Sequence, residues 1–197
     1  MEQIKIDTVS GKEITPWLDD IAKLRLQVFR EFPYLYEGSL EYEAEYLRRY
    51  AASERCVFVL AKANRTIVGA ATGLPLQDAD DAFQEPFFAQ QLPVADYFYF
   101  GESVLDQKFR GRGIGHMFFD AREAFAWQLG LRRTTFCAVE RPLEHPLRPL
   151  EYRPLDEFWQ ARGYRKHPEL IAHFSWQDLH ENAETAKPMV FWIKNPG

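Results

Sequence analysis

The six residues Arg110-Gly111-Arg112-Gly113-Ile114-Gly115 have the types and spacing to hold a phosphate group. Glycine accepts left-handed and tightly turned backbone that a Cβ forbids, so three glycines in five positions bring main-chain N–H groups close to a ligand. The residues that follow, Ile114 to Leu129, carry a helix-like apolar pattern. A helix beginning at this turn adds its unpaired first N–H groups and the positive end of its dipole. Arg110 and Arg112 supply charge-assisted hydrogen bonds suited to phosphate oxygens. The sum is a cradle for phosphate or pyrophosphate. A nucleoside-triphosphate loop would need Lys-Ser or Lys-Thr after its last glycine, and His116-Met117 stands there instead. A dinucleotide fingerprint needs Gly-x-Gly-x-x-Gly, whereas the spacing here is Gly-x-Gly-x-Gly. Glu140, at a strand end, would serve such a site but lies further on than the usual ~20 residues.

The elements that position this turn are read from periodicity. An aromatic strand, Tyr97 to Leu105, leads into it, and the helix beyond presents Ile114, Phe118, Ala121, Phe125 and Leu129 on one face, with Gly130 as its C-terminal cap. Upstream, Gln3 to Val9 alternates like a half-buried strand. Ile14 to Phe29 has helical spacing, with Thr15-Pro16 as its start and Pro33 as its end. Ser39 caps a second helix to Tyr50, striped by Leu40, Tyr42, Tyr46 and Leu47. Residues 56–61 and 66–71 flank Asn64-Arg65 as an antiparallel hairpin. Asp78 to Asp81 caps a short helix in a segment broken by Pro86 and Pro93. Thr134 to Val139 is a continuous apolar strand, and Arg141 to Pro154, with four prolines, is an ordered loop. Leu155 to Arg162 is a short helix ending at Gly163, and Leu170 to Trp176 pairs with Met189 to Lys194. The order makes a mixed α/β sheet in a single domain, 1–197. The terminal strand, Met189 to Ile193, offers an edge on which two chains would pair as a homodimer.

Composition narrows the function classes. The chain is 46% hydrophobic and 15% aromatic, enough for a large core or a deep pocket. Its net charge of −5 and pI of about 5.6 give no footprint for nucleic acid. Cys56 and Cys137 are too few and too far apart for a disulfide framework or a zinc site, and His116, His145, His167, His173 and His180 lack metal-like spacing. Met1 to Lys5 lacks the apolar stretch of a signal peptide and no run approaches membrane-spanning length, so the chain reads as cytoplasmic. Asn64-Arg65-Thr66 matches a glycosylation sequon by chance.

Arg110-x-x-Gly113-x-Gly115 fills every fixed position of the Gln/Arg-x-x-Gly-x-Gly/Ala motif, so the chain resembles the GNAT superfamily of N-acetyltransferases. Val104-Leu105-Asp106 ends the strand before the motif, and Phe158 to Tyr164 is similar to the family's later aromatic helix closed by Gly-aromatic. The resemblance covers roughly residues 55 to 195 and implies a GNAT-type mixed, mostly antiparallel sheet with helices on both faces. It implies acetyl-CoA as co-substrate, its pyrophosphate on Arg110, Gly111, Arg112, Gly113, Ile114 and Gly115, and its pantetheine arm along the main chain of Ser103, Val104 and Leu105 as a surrogate strand. The reaction implied is acetyl transfer to a primary amine of a small molecule or peptide. The alternative is a non-catalytic acyl-CoA sensor of the same fold.

Such a transfer needs a base for the amine, a donor for the oxyanion and a fate for the thiolate. Glu102, a charge in an aromatic strand, is the first candidate base; an ion pair with an arginine is the other reading of it. Glu140 is second, and Tyr99 points into the site if a bulge alters the alternation. The N–H of Val104 or Leu105 is the natural oxyanion donor. Many relatives place a general-acid tyrosine four residues before the Gly-aromatic glycine; Trp159 stands there, and an indole N–H donates a hydrogen bond but delivers no proton. Tyr152, Tyr164 or solvent then takes that role. Cys137 is an acyl-carrying thiol or, more simply, a buried small hydrophobe. Phe32 to Gly38 forms an acceptor wall with Glu37 or Glu144 for a cation, or else a packed helix–helix corner.

Overall fold

The computed structural model describes residues 3–196. Apolar alternation near the start produces β1 (Ile4–Val9), which runs antiparallel to β2 (Val57–Ala63). β2 and β3 (Thr66–Pro75) form the expected hairpin; Asn64 turns it with a φ of 54°, a conformation asparagine accepts more readily than most residues. β4 (Tyr97–Leu105) lies antiparallel to β3, and β5 (Arg133–Val139) lies parallel to β4. β6 (Arg165–Gln177) and β7 (Glu184–Lys194) close the chain as an antiparallel pair, longer than the apolar runs alone indicate. The sheet order is β1-β2-β3-β4-β5-β7-β6, mixed and mostly antiparallel, with a single parallel contact.

Helices cover both faces. α1 (Leu18–Phe29), α2 (Leu40–Ala52) and α3 (Asp81–Ala89) share one apolar cluster with Phe58, Leu60, Tyr97 and Tyr99. α4 (Ile114–Gln128) and α5 (Asp156–Ala161) share the other with Val57, Val59, Phe98 and Phe100. Adjacent residues of β2 and β4 thus serve opposite faces, as the twofold pleat requires.

Three expectations change. The first helix does not begin at Thr15-Pro16: a 3-10 helix spans Gly11–Trp17 with Pro16 inside it, and α1 starts at Leu18, because proline has no N–H for an α-helical bond. On α2, Ser39 caps as expected, its Oγ accepting from the Tyr42 N–H at 3.3 Å, but Leu40 and Tyr42 are exposed. The buried line is Glu43, Leu47 and Tyr50, so the helix is rotated toward a partner for Glu43. Met189 to Ile193 offers no edge for a homodimer, since β7 lies between β5 and β6 and is paired on both sides; the free edges are β1 and β6.

Candidate active site

β4 and β5 pair at only three positions, Tyr97 with Arg133, Phe98 with Thr134 and Tyr99 with Thr135. Beyond them the strands part, leaving the β5-facing edge of Phe100 to Leu105 without a ladder partner. Main-chain direction alternates along a strand. The Asp106 N–H donates to Val68 O at 2.9 Å and the Glu102 N–H to Thr72 Oγ1 at 3.2 Å, both toward β3. Val104 therefore turns its N–H toward β3 as well, whereas Ser103 and Leu105 turn theirs into the fork. Consistent with this, the Leu105 carbonyl accepts from Arg110 Nε at 3.2 Å.

At the fork β4 bulges. Ala71 faces Ser103 and Gly73 faces Phe100, so Gly101 and Glu102 together oppose Thr72. A Cβ on Gly101 would lie 2.5 Å from Thr72 Oγ1 and 2.8 Å from Tyr50 Oη, so the close packing requires glycine. Thr72 Oγ1 both accepts from the Glu102 N–H and donates to Glu102 Oε2 at 3.0 Å. The other carboxylate oxygen lies 2.8 Å from Arg25 Nη1 of α1, an ion pair set off the hydrogen-bonding axis. Arg25 Nε donates to Glu43 of α2. Glu43 is 1% exposed and Glu102 7%, so two carboxylates share one guanidinium away from water. Burial opposes the charge on Arg25, but Glu102, Tyr46 and Glu43 more than offset it and raise its pKa above the ordinary arginine range. Its guanidinium also lies over the Tyr46 ring, 4.4 Å from the centroid.

The opposite face of the bulge is held by Arg122 of α4, which the sequence reading missed. Nη1 donates to the carbonyls of Thr72 (3.1 Å) and Glu102 (3.2 Å), and Nη2 donates to Ser103 Oγ at 2.9 Å. These are carbonyls that an interrupted ladder leaves short of partners. Burial is the main influence on Arg122 and lowers its pKa to about 10. The spacing Ile114, Phe118, Arg122 runs down one helix face, so an arginine at i+8 of an apolar row was the available signal.

The glycine turn lies beyond the tip of β4. Gly111 and Gly113 adopt φ of 74° and 77°, and Gly113 is the residue from which α4 starts. Among the described residues, nothing accepts from the main-chain N–H groups of residues 111–115. Arg112 Nη2 donates to Lys108 O at 3.0 Å, and Arg110 Nη2 lies 2.8 Å from Glu31 Oε2. Phe158 of α5 packs over the first turn of α4, 3.5 Å from where a Cβ of Gly115 would stand and 4.8 Å between rings from His116. These groups together can bind an anion at the turn and an extended chain along the fork.

The remaining candidates are scattered along the fork and its rims. Tyr99, at the base of the fork, is buried with its Oη 3.4 Å from Cys137 Sγ, and burial holds its phenol well above the ordinary value. Burial likewise pushes the Cys137 thiol up to about 12, which leaves almost no thiolate for acyl transfer at neutral pH and favours the small-hydrophobe reading. Glu140 stands on the opposite arm from Glu102, exposed and paired with Lys166. Trp159 is half-buried against Phe136 and Trp192, with ring centroids at 5.0 and 5.1 Å. Tyr164 is withdrawn from any general-acid role: its hydroxyl is buried, 2.7 Å from Thr134 Oγ1, and donates to Glu123 at 3.1 Å. Tyr152 stays at the surface, edge-on to Phe32 at 4.6 Å. The aromatic loop and the proline-rich loop do meet. Arg141 donates to the carbonyls of Pro33 and Tyr34 at 2.8 Å and grips Asp178 with two bonds. Within that corner Glu37 is paired with Arg30 at 2.7 Å.

Known proteins share this fold. The chain matches the Acetyltransferase (GNAT) family over residues 20–150. Its fold is similar to that of a GNAT-family acetyltransferase from Staphylococcus aureus Mu50 (TM-score 0.61, 13% identity, covering 99% of this chain and 100% of that one). It is similar also to the PaiA N-acetyltransferase of Thermoplasma acidophilum in complex with coenzyme A (0.59, 12%, 98% and 99%). A third is the ribosomal-protein-alanine N-acetyltransferase of Brucella melitensis (0.62, 10%, 97% and 99%). A comparison with curated protein sequences gives no match. With the family match spanning most of the chain and the forked sheet carrying its glycine turn, this protein belongs to the GNAT family of acetyltransferases.

Proposed function

We propose that the chain is a single acetyl-CoA-dependent N-acetyltransferase domain acting on a primary amine of a small molecule or peptide. The observation that carries this is the fork, whose free edge at Ser103 and Leu105 runs directly into the open amides of residues 111–115. The pantetheine arm would complete the ladder there, and the pyrophosphate would take the turn, with Arg110 and Arg112 beside it. Trp159, against the β5 arm, packs beside the thioester end. Of Val104 and Leu105 only Leu105 turns its N–H into the fork, but it adjoins the turn and would serve the pantetheine arm; the Ser103 N–H, also in the fork and next to Glu102, is better placed for the oxyanion.

The amine's proton passes to Glu102, directly or through water. Glu43 draws on the same guanidinium, so Glu102 shares Arg25 with a second carboxylate rather than holding it alone. Glu140 on the far arm is the alternative base, whereas Tyr99 at the base of the fork, its phenol held protonated by burial, would line the site without taking the proton. Tyr152 or solvent protonates the departing thiolate. The acceptor enters between the aromatic loop and the proline-rich loop.

A specific observation keeps a second reading, a non-catalytic acyl-CoA sensor: Glu102 is ion-paired and the usual tyrosine position holds Trp159. Coenzyme A release measured over a panel of primary amines separates the two. The enzyme reading expects turnover that falls about 10²–10⁴-fold in Glu102→Gln. Acetyl-CoA binding with no turnover on any amine, unchanged in that variant, establishes the sensor instead.

A further inference from the structure

We infer that Glu31 is a donor-affinity residue: its carboxylate stands in for the donor phosphate on Arg110 and has to be displaced when the donor binds. This rests on the reading of the glycine turn as the pyrophosphate site. Glu31 is the residue just past the last turn of α1, 79 positions upstream of Arg110 in the chain. Its main chain is fixed there, with its N–H donating to Val28 O at 3.1 Å and its carbonyl accepting from Leu35 N–H at 3.0 Å. Arg110 is fixed as well, through Nε on the Leu105 carbonyl, so its free edge is aimed at Glu31 rather than wandering. Among the described residues no other carboxylate is paired with the arginines of the turn. The two side chains are 43% and 35% exposed, which places the pair where a stronger anion can replace it at little cost. A phosphate can also collect the open amides of residues 111–115, which Glu31 does not reach in this geometry.

The contact therefore sets how tightly phosphate-bearing donors are held and leaves the affinity for donors without phosphate groups untouched. Removing the Glu31 charge frees Arg110 in advance, whereas a ligand that never touches Arg110 is indifferent to it.

Calorimetric titration of the full chain with coenzyme A and with pantetheine tests this, using Glu31→Gln, Arg110→Ala and the double variant. At low salt Glu31→Gln should bind coenzyme A about two- to five-fold more tightly, the range of an exposed ion pair. Its pantetheine affinity should be unchanged, and the gain should vanish in the Arg110→Ala background and shrink in high salt. An unchanged coenzyme A affinity in Glu31→Gln, while Arg110→Ala weakens it, overturns the inference and leaves the turn as the phosphate site. So does an equal gain for pantetheine. If Arg110→Ala and Glu31→Gln both leave coenzyme A untouched, the assignment of the turn falls, and the inference with it.

Discussion

The bulge on β4 and the glycine turn beyond its tip are a few residues apart and built on opposite plans. At the bulge the charges are paired within the protein: Arg25 serves two carboxylates, Thr72 closes on Glu102, and Arg122 takes the stray carbonyls from behind, while Arg25 Nη1, Glu102 Oε1 and Tyr50 Oη are buried without a hydrogen bond. At the turn, among the described residues, the main-chain donors have no acceptor, and the arginines are exposed. A region whose charges are paired within the protein can hold a reacting group still, and a region left open can bind something charged. On the proposed reading, chemistry and recognition then rest on separate physical footings within one strand–turn–helix unit.

The largest effect should come from the closed region. Arg25→Met leaves Glu43 and Glu102 buried without their cation, and removal of one partner from such a pair costs about 3–5 kcal/mol. Thermal denaturation should show a large fall in Tm, whereas Arg110→Ala should hardly move it. Equal Tm losses in the two variants would erase the contrast.

Alkaline pH tests the same contrast without mutation. Burial holds the phenols of Tyr34, Tyr46, Tyr50 and Tyr99, which surround the bulge, above the ordinary tyrosine value of about 10. The unfolded chain releases those protons first, so the stability they contribute is complete below about pH 10 and is lost as pH rises further. Arg122 acts in the other sense: with its pKa lowered to about 10, the native state sheds that proton first and gains above it. One arginine against four tyrosines leaves a net loss. The phenolate absorbance of these four should appear only together with unfolding; their ionisation in a still-folded protein, beyond that of the exposed tyrosines, would show that the region is not closed.

Smaller effects belong to the open region. Arg110→Ala should weaken coenzyme A binding about tenfold, the worth of a charge-assisted phosphate contact, as read by calorimetry. Gly113→Ala meets no atom within 4 Å, so its cost is the left-handed backbone alone, about 1–2 kcal/mol of stability in a denaturant titration.

The same division decides what could be read from the sequence. The turn was legible because its properties are local: glycine conformation, helix start and arginine charge sit in six consecutive residues. Strands, hairpin and proline-rich loop were legible for the same reason. The bulge was not. Glu43 lies on the buried face of α2 only because Arg25, 18 positions earlier, waits for it, and an apolar-stripe rule turns that helix the wrong way. Arg122 occupies a core position in an apolar helix row for carbonyls 20 and 50 positions away. Glu102 was found as an anomaly in its strand, with its arginine foreseen in kind but not in place. Pairing across the chain carries no local signature.

The three-position contact between β4 and β5 has a mechanical consequence. It joins a half-sheet of β1 to β4 to a half-sheet of β5, β7 and β6 along the shortest seam in the structure, in the parallel geometry that is weaker per residue. Pulled or heated, the sheet has a predetermined line of parting, running between Tyr99 and Thr135 and out through the fork. A molecule lying in the fork bridges both halves and works as a suture, so holding a ligand and holding the protein together become the same act.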